Sequence, residues 1–172
     1  MFIKYICMAV ILACSSLLGF YLSKLDEYRL KELLSVKKMA IMLASEIEYS
    51  SSLVAALEHI AGRLDAPLNN WVMDIAVELS KRTGKPLVTI WNEKCEVYVN
   101  QAYLTDSDWE YIRDFGKNLG YLDKSMQHKN IRLFIDYLDD EIVLINNSKD
   151  NNKKMYRSLG ILMGLLVVIV LI

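Results

Sequence analysis

Residues 5–23 form a run of nineteen residues without a charge, and residues 158–172 form a second of fifteen. A helix apolar on every side has no face to turn to water, so each run must be enclosed by protein or by lipid. A bilayer core of about 30 Å takes roughly 20 helical residues at 1.5 Å each. The first run meets that length, with Tyr5 and Tyr21 where interfacial aromatics sit. The second reaches only about 22 Å. Met155, Tyr156 and a snorkelling Arg157 extend it to about 27 Å. The expected organisation is a transmembrane helix at 1–23, a single domain at 24–157 and a second transmembrane helix at 158–172. With 172 residues, 53% of them hydrophobic, the chain has room for one domain and enough apolar mass to exclude disorder. Seven Gly, two Pro and three Cys exclude collagen-like and disulfide-scaffold chains.

A competing reading of the first run starts from Ile11-Leu12-Ala13-Cys14, which follows Lys4 as a lipoprotein cleavage box would. On that reading the chain is an exported lipoprotein or a membrane-anchored helical binding module. The apolar run, however, continues for eight residues past Ser15, where a signal sequence should have ended.

Flanking charge sets the orientation. Lys4 alone precedes the first run, while Lys24, Arg29, Lys31, Lys37 and Lys38 follow it. Lys149, Lys153, Lys154 and Arg157 precede the second run, and no charge follows it. The positive-inside rule then places the central domain in the cytoplasm and both termini on the far side. Residues 24–38 carry a net charge of +2, residues 149–157 carry +3, and residues 39–148 between them carry −7. Lys24, Arg29, Lys31, Lys153, Lys154 and Arg157 are thus expected next to the membrane, against anionic lipid. The acidic body repels phosphates, which argues against nucleic-acid binding.

Periodicity makes that body helical. A first helix is expected over 26–49, with Leu30, Leu33, Leu34 and Ile41 among its apolar positions. Ser50, Ser51 and Ser52 offer N-caps to a second. Pro67 suits the first turn of a third over 68–81, which Gly84 closes. Residues 86–102 contain Val88-Thr89-Ile90 and Val97-Tyr98-Val99, which favour strand. Their apolar positions Leu87, Trp91, Cys95, Tyr98 and Ala102 nevertheless recur at helical spacing, and that pattern predicts a fourth helix. Ser107-x-x-Glu110 reads as a capping box for a fifth helix ending at Gly120. A sixth, over 123–147, carries Ile131, Ile135, Leu138, Ile142 and Ile145, and the Asn-rich run 146–152 reads as a polar stalk. The expected fold is all-α: a compact bundle of about six helices flanked by the two membrane helices.

Little in the chain suggests chemistry. Asp106-Ser107-Asp108 opens like a calcium loop, but the glycine and the closing acid that such a loop needs are missing. His59 and His128 lack ligand partners at metal spacing, and no phosphate loop or nucleophile elbow occurs. The chain is therefore expected to be no enzyme and to hold neither cofactor nor metal. Two features suggest association instead. Asp136, Asp139, Asp140 and Glu141 crowd one region of the sixth helix as a candidate contact for a basic partner. Gly160-x-x-x-Gly164 allows close approach of another helix in the membrane, as in a homo-oligomer.

Several short motifs carry a resemblance. They are Leu18-Gly19-Phe20-Tyr21, Glu46-Ile47-x-Tyr49 with Leu53-x-x-Ala56-Leu57, and Trp91. They continue with Phe115-Gly116-x-x-Leu119-Gly120-x-x-Asp123-x-x-x-Gln127 and Lys154-Met155-Tyr156-Arg157-Ser158-Leu159-Gly160-x-x-x-Gly164-Leu165. Together they resemble the stage III sporulation protein AB family along essentially the whole chain. One departure is Ser51-Ser52-Leu53-Val54, where prolines are expected. The resemblance implies a protein of the mother-cell membrane around the forespore, with a cytoplasmic domain similar to type II secretion platform protein F. It further implies a role in the channel complex required for endospore formation. The implied partners are the other stage III sporulation A-operon proteins, including a secretion-type ATPase.

Overall fold

In a computed structural model, which describes residues 2–48, 52–119 and 124–171, the helical periodicity is realised as six α-helices. They are α1 (Phe2–Glu48), α2 (Leu53–Ala61), α3 (Leu68–Ser80), α4 (Leu87–Tyr98), α5 (Asp106–Leu119) and α6 (Lys124–Leu171). No strand occurs among the described residues. The chain divides into two units, one of Met1–Tyr28 with Val143–Ile172 and the other of Arg29–Ile142. Among the described residues no helix is long and apolar enough to cross a membrane. The side chains at 2–9 and 12, which fall within the first expected span or beside it, lie outside that description.

Within Arg29–Ile142, α2 packs on α3, α3 on α4 and α4 on α5. Three tryptophans, all fully buried, form the centre. Trp71 of α3 meets Trp91 of α4 edge-on at 5.0 Å and Trp109 of α5 at 5.8 Å. Such T-shaped contacts set the positive ring edge against a negative face. The expected fourth helix forms, and its apolar positions Trp91, Cys95 and Tyr98 are buried. Packing there overrides strand propensity, although α4 stops at Tyr98, short of Ala102. The core face of α1 is Leu33, Val36, Ala40 and Leu43. Leu34 and Ile41, expected inside, are about half exposed because they fall outside that 3-4-3 stripe.

Helix ends follow local chemistry. Ser52 caps α2, its hydroxyl accepting from the Ala55 N–H at 3.3 Å. The alternative caps Ser50 and Ser51 lie outside the described residues, as do Gly120 and Asp123. Pro67 stands one position before α3, as its N-cap rather than inside its first turn. Gly84 adopts a φ of 78°, which suits the turn between α3 and α4.

Three expectations are corrected. The capping box lies two residues earlier than Ser107-x-x-Glu110. Thr105 and Asp108 bond reciprocally, the Asp108 N–H to Thr105 Oγ1 at 3.3 Å and the Thr105 N–H to Asp108 Oδ2 at 2.8 Å. Both sequences satisfy the pattern; the earlier one also brings Leu104 and Trp109, the hydrophobic staple positions, into the core. The first helix does not begin near Asp26, since α1 is continuous from Phe2. Nor is 146–152 a stalk, because it lies inside α6. That tract lacks Gly and Pro, so its polar residues weaken a helix only by tenths of a kcal/mol each. Side-chain bonds offset this: Ser148 Oγ donates to the Leu144 carbonyl at 2.9 Å within α6, and Asn152 Nδ2 donates to Asp26 of α1 at 2.9 Å.

Candidate functional site

The densest polar cluster in Arg29–Ile142 centres on Asp108, whose side chain is fully enclosed. Its place in the capping box aims the carboxylate back toward α1, where Arg29 meets it as a fork. Arg29 Nε and Nη2 donate to the two carboxylate oxygens, each at 2.8 Å. The Thr105 N–H and hydroxyl donate at 2.8 Å, and the Tyr137 hydroxyl at 3.3 Å. Arg29 Nη2 also reaches Glu141 of α6 at 2.6 Å. Beside it, Glu32 accepts the Tyr103 N–H at 2.6 Å and so fastens the loop between α4 and α5 to α1.

The electrostatics match the geometry. Burial pushes the Asp108 carboxyl up, but the Arg29 fork and the Thr105 donors outweigh it and hold the group below the usual aspartate range. Glu32 moves the other way. Burial raises it, with the Asp108 charge adding, and the loop N–H groups only partly offset this. Burial followed by the Asp108 charge raises the Tyr137 phenol, which stays protonated and donates. Arg29 is raised chiefly by its bonds to Asp108, so it keeps its charge. Every group is engaged by a partner in the same unit. The arrangement is a clamp holding α1, α5 and α6 in register.

Other reactive types are accounted for similarly. Burial pushes the Cys95 thiol up to about 12, so it remains protonated at neutral pH. His59 Nδ1 lies 2.8 Å from Glu46 Oε1. Among the described residues no group of three or more His, Cys, Asp or Glu side chains is placed to hold a metal.

The expected association residues part company. Glu141 and Asp139 are taken up inside the unit, by Arg29 and Lys37 respectively. Asp136 and Asp140 are exposed and form no ion pair among the described residues. Arg29, expected beside the membrane, is the centre of the clamp, where two buried or half-buried carboxylates compete for it. Lys31 pairs loosely with Asp65 at 3.4 Å, both largely exposed. Lys24 and Lys154 are exposed and Lys153 half-buried. The Arg157 guanidinium lies 4.9 Å over the Phe20 ring, a cation–π contact.

In the unit of Met1–Tyr28 and Val143–Ile172, Gly160 meets a helix of its own chain. A Cβ on Gly160 would stand 2.9 Å from Gly19 Cα, and one on Gly19 would stand 2.8 Å from the Tyr156 carbonyl oxygen. The Ser15 hydroxyl donates to the Gly160 carbonyl across the same crossing. Gly164, one turn on, is buried. Gly19 was not among the expected packing residues, although it is the lone glycine of the first apolar run. Small residues on both helices with a hydroxyl bond between them are how helices pack where hydrophobic burial cannot drive association.

The resemblance motifs gain physical roles. Gln127 Nε2 donates to the Leu119 carbonyl at 3.0 Å and closes the end of α5. Gly116 leaves the space that the Trp91 indole fills.

Comparison with known proteins agrees with this picture. Stage III sporulation protein AB of Bacillus subtilis (strain 168) is 27% identical over 154 residues, covering 89% of this chain and 90% of that protein. A solved structure of stage III sporulation protein AB shares the fold, with a TM-score of 0.67 at 22% identity over 72% of this chain and 97% of the other. The family described as stage III sporulation protein AB matches residues 4–172. The chain belongs to the stage III sporulation protein AB family.

Proposed function

We propose that the chain is a non-enzymatic membrane platform of the mother-cell-to-forespore channel complex. Its two terminal helices anchor it in the mother-cell membrane around the forespore, and its acidic helical body faces the cytoplasm. There it receives other stage III sporulation proteins, a secretion-type ATPase among them, in the manner of secretion platform protein F. The observation that carries this reading is the Gly19–Gly160 crossing. Two runs that lack charge, at opposite ends of the sequence, meet through glycine backbones and a serine hydroxyl, the packing that lipid favours.

The test is topological. An epitope inserted at Gly84, in the exposed turn after α3, should be protected from protease in intact sporulating cells and cleaved after lysis. The protein should also resist extraction from membranes by alkaline carbonate. Cleavage at Gly84 in intact cells would overturn the cytoplasmic placement. Loss of the first thirteen residues by mass spectrometry would instead establish the lipoprotein reading, with Cys14 at the mature terminus.

A further inference from the structure

Between α5 and α6 runs an open groove of about 220 Å³, lined by Tyr111, Phe115, Asn118, Asn130, Leu133 and Tyr137 among others. Two stacked aromatic pairs build it. Phe115 and Phe134 lie 4.4 Å apart at 15°, and Tyr111 and Tyr137 lie 3.5 Å apart at 17°. Tyr111 is 46% exposed, and Leu133 forms a lip that is 59% exposed. A second depression of about 290 Å³, lined by Ser107, Glu110, Tyr111 and Asp114, shares Tyr111 and Asp114 with the first. The groove therefore adjoins this depression at Tyr111 and Asp114.

Its charge is polarised along its length. At the Ser107 end stand Glu110, which has no ion pair among the described residues, and Asp114. Among the described residues the Asp114 carboxylate pairs with Lys117 of its own helix alone, at 2.6 Å with both side chains more than half exposed. Such a pair is worth little and yields to a better-placed cation. On α6, the exposed Asp136 and Asp140 follow Leu133 and Tyr137 by three residues each, so they lie one turn along on the same side. Lys117, Lys129 and Arg132 lie toward the Asn118–Asn130 end.

We infer that this groove receives a segment of a partner protein carrying an arginine and, one helical turn away, an apolar side chain. The guanidinium lies over the Tyr111 face that Tyr137 does not cover, with Glu110 and Asp114 at its edge, where cation–π attraction and a carboxylate fork act on one group. The apolar side chain rests on the exposed Leu133, above the buried Phe115–Phe134 pair that forms the floor. Arginine fits better than lysine because its planar head stacks and forks together. The inference deepens the platform reading by naming the chemistry of what docks on the body, and it rests on that reading for the partner's existence.

The test uses the full chain in phosphatidylcholine nanodiscs with isotopically labelled tyrosine rings. The probe is a capped peptide with arginine and leucine four residues apart. Saturable shifts of the Tyr111 and Tyr137 ring signals are expected. Affinity should fall by about fivefold or more in the double variant Glu110→Gln, Asp114→Asn, as it should when glutamate replaces the peptide's arginine. A lysine peptide should bind more weakly than the arginine one. Shifts spread over all tyrosines, or affinity untouched by the double variant, would overturn the inference whatever the topology result. So would self-association of the chain in sedimentation that the double variant abolishes, since the groove would then belong to a second copy.

Discussion

Gly116 sits inside α5, a position where glycine costs a helix about 1 kcal/mol relative to alanine. On propensity alone, Gly116→Ala should therefore stabilise the chain. The packing reverses the sign. A Cβ at Gly116 would overlap Cδ1, Cγ and Nε1 of the Trp91 indole. That ring has nowhere to go. It is fully buried, touches Trp71 edge-on at 5.0 Å and Phe115 at 5.9 Å, and its Nε1–H donates to the Ile112 carbonyl at 2.9 Å. Forcing a methyl group into such a contact costs about 1–3 kcal/mol. Pulling the indole off the Ile112 carbonyl, which keeps its own helical N–H partner, leaves the buried Trp91 N–H unpaired, for another 1–3 kcal/mol or so. After the propensity gain, a net loss of about 3 kcal/mol is expected.

For a unit the size of Arg29–Ile142 that loss lowers the melting temperature by roughly 10 °C, read by far-UV circular dichroism on the full chain in detergent. The decisive comparison is made in a Trp91→Leu background. That change is itself costly, but it removes the ring that Gly116 accommodates. Gly116→Ala should then be neutral or stabilising, by up to about 1 kcal/mol. A coupling of several kcal/mol between the two positions is the signature. The reasoning fails if Gly116→Ala stabilises the wild-type chain, or if it costs as much with Leu at position 91 as with Trp.

Two further predictions test the clamp and the crossing. Asp108→Asn should cost about 2–4 kcal/mol at neutral pH, toward the low end because the half-exposed Glu141 still pairs with Arg29. Asp108 titrates below the ordinary aspartate value of 3.8 in the fold, so its contribution is complete above that value and lost as pH falls through the folded one. The gap between wild type and variant in denaturant titrations should therefore close in acid; a constant gap would contradict the assignment. Glu32 has the opposite sign, since its raised value means stability falls as pH rises from 4.5 through it. In the terminal unit, Gly19→Leu should wedge the helices apart, because its Cβ alone meets the Tyr156 carbonyl at 2.8 Å and Gly160 Cα at 3.0 Å. Spin labels at Leu22 and Leu159 should report a separation larger by about 2 Å, in line with the spread of helix-pair distances with side-chain size. An unchanged distance would show that the glycines do not set the crossing.

What could be read ahead of the structure divides along a physical line. Periodicity reports the face a helix buries, so α4 could be read as a helix against its strand-favouring residues, and Trp91, Cys95 and Tyr98 are indeed its core positions. The stripe of Ile131, Leu138 and Ile142 on α6 was legible for the same reason. Periodicity does not report which distant residue competes for a charge. Arg29 stands among lysines in the sequence and looks like one more membrane-facing cation. Its partner Asp108 lies 79 residues away, and the buried carboxylate holds the guanidinium because leaving that carboxylate unpaired costs several kcal/mol. Capping patterns are local yet degenerate: Thr105-x-x-Asp108 and Ser107-x-x-Glu110 are equally good until Asp108 is needed by Arg29. Gly160 likewise announced close packing without naming Gly19, 141 residues earlier, as what it packs on. Even the tract at 146–152, polar enough to suggest a break, stays helical because nothing in it forbids a helix and helical segments lie on both sides. In each case the local signal named a requirement (a cap, a close approach, a charge to neutralise), and tertiary structure chose which residue met it. The same logic bears on the exposed Asp136 and Asp140. Clamp and ion pairs have claimed Asp108, Asp139 and Glu141, so the acids left over are those with charge still to offer a partner.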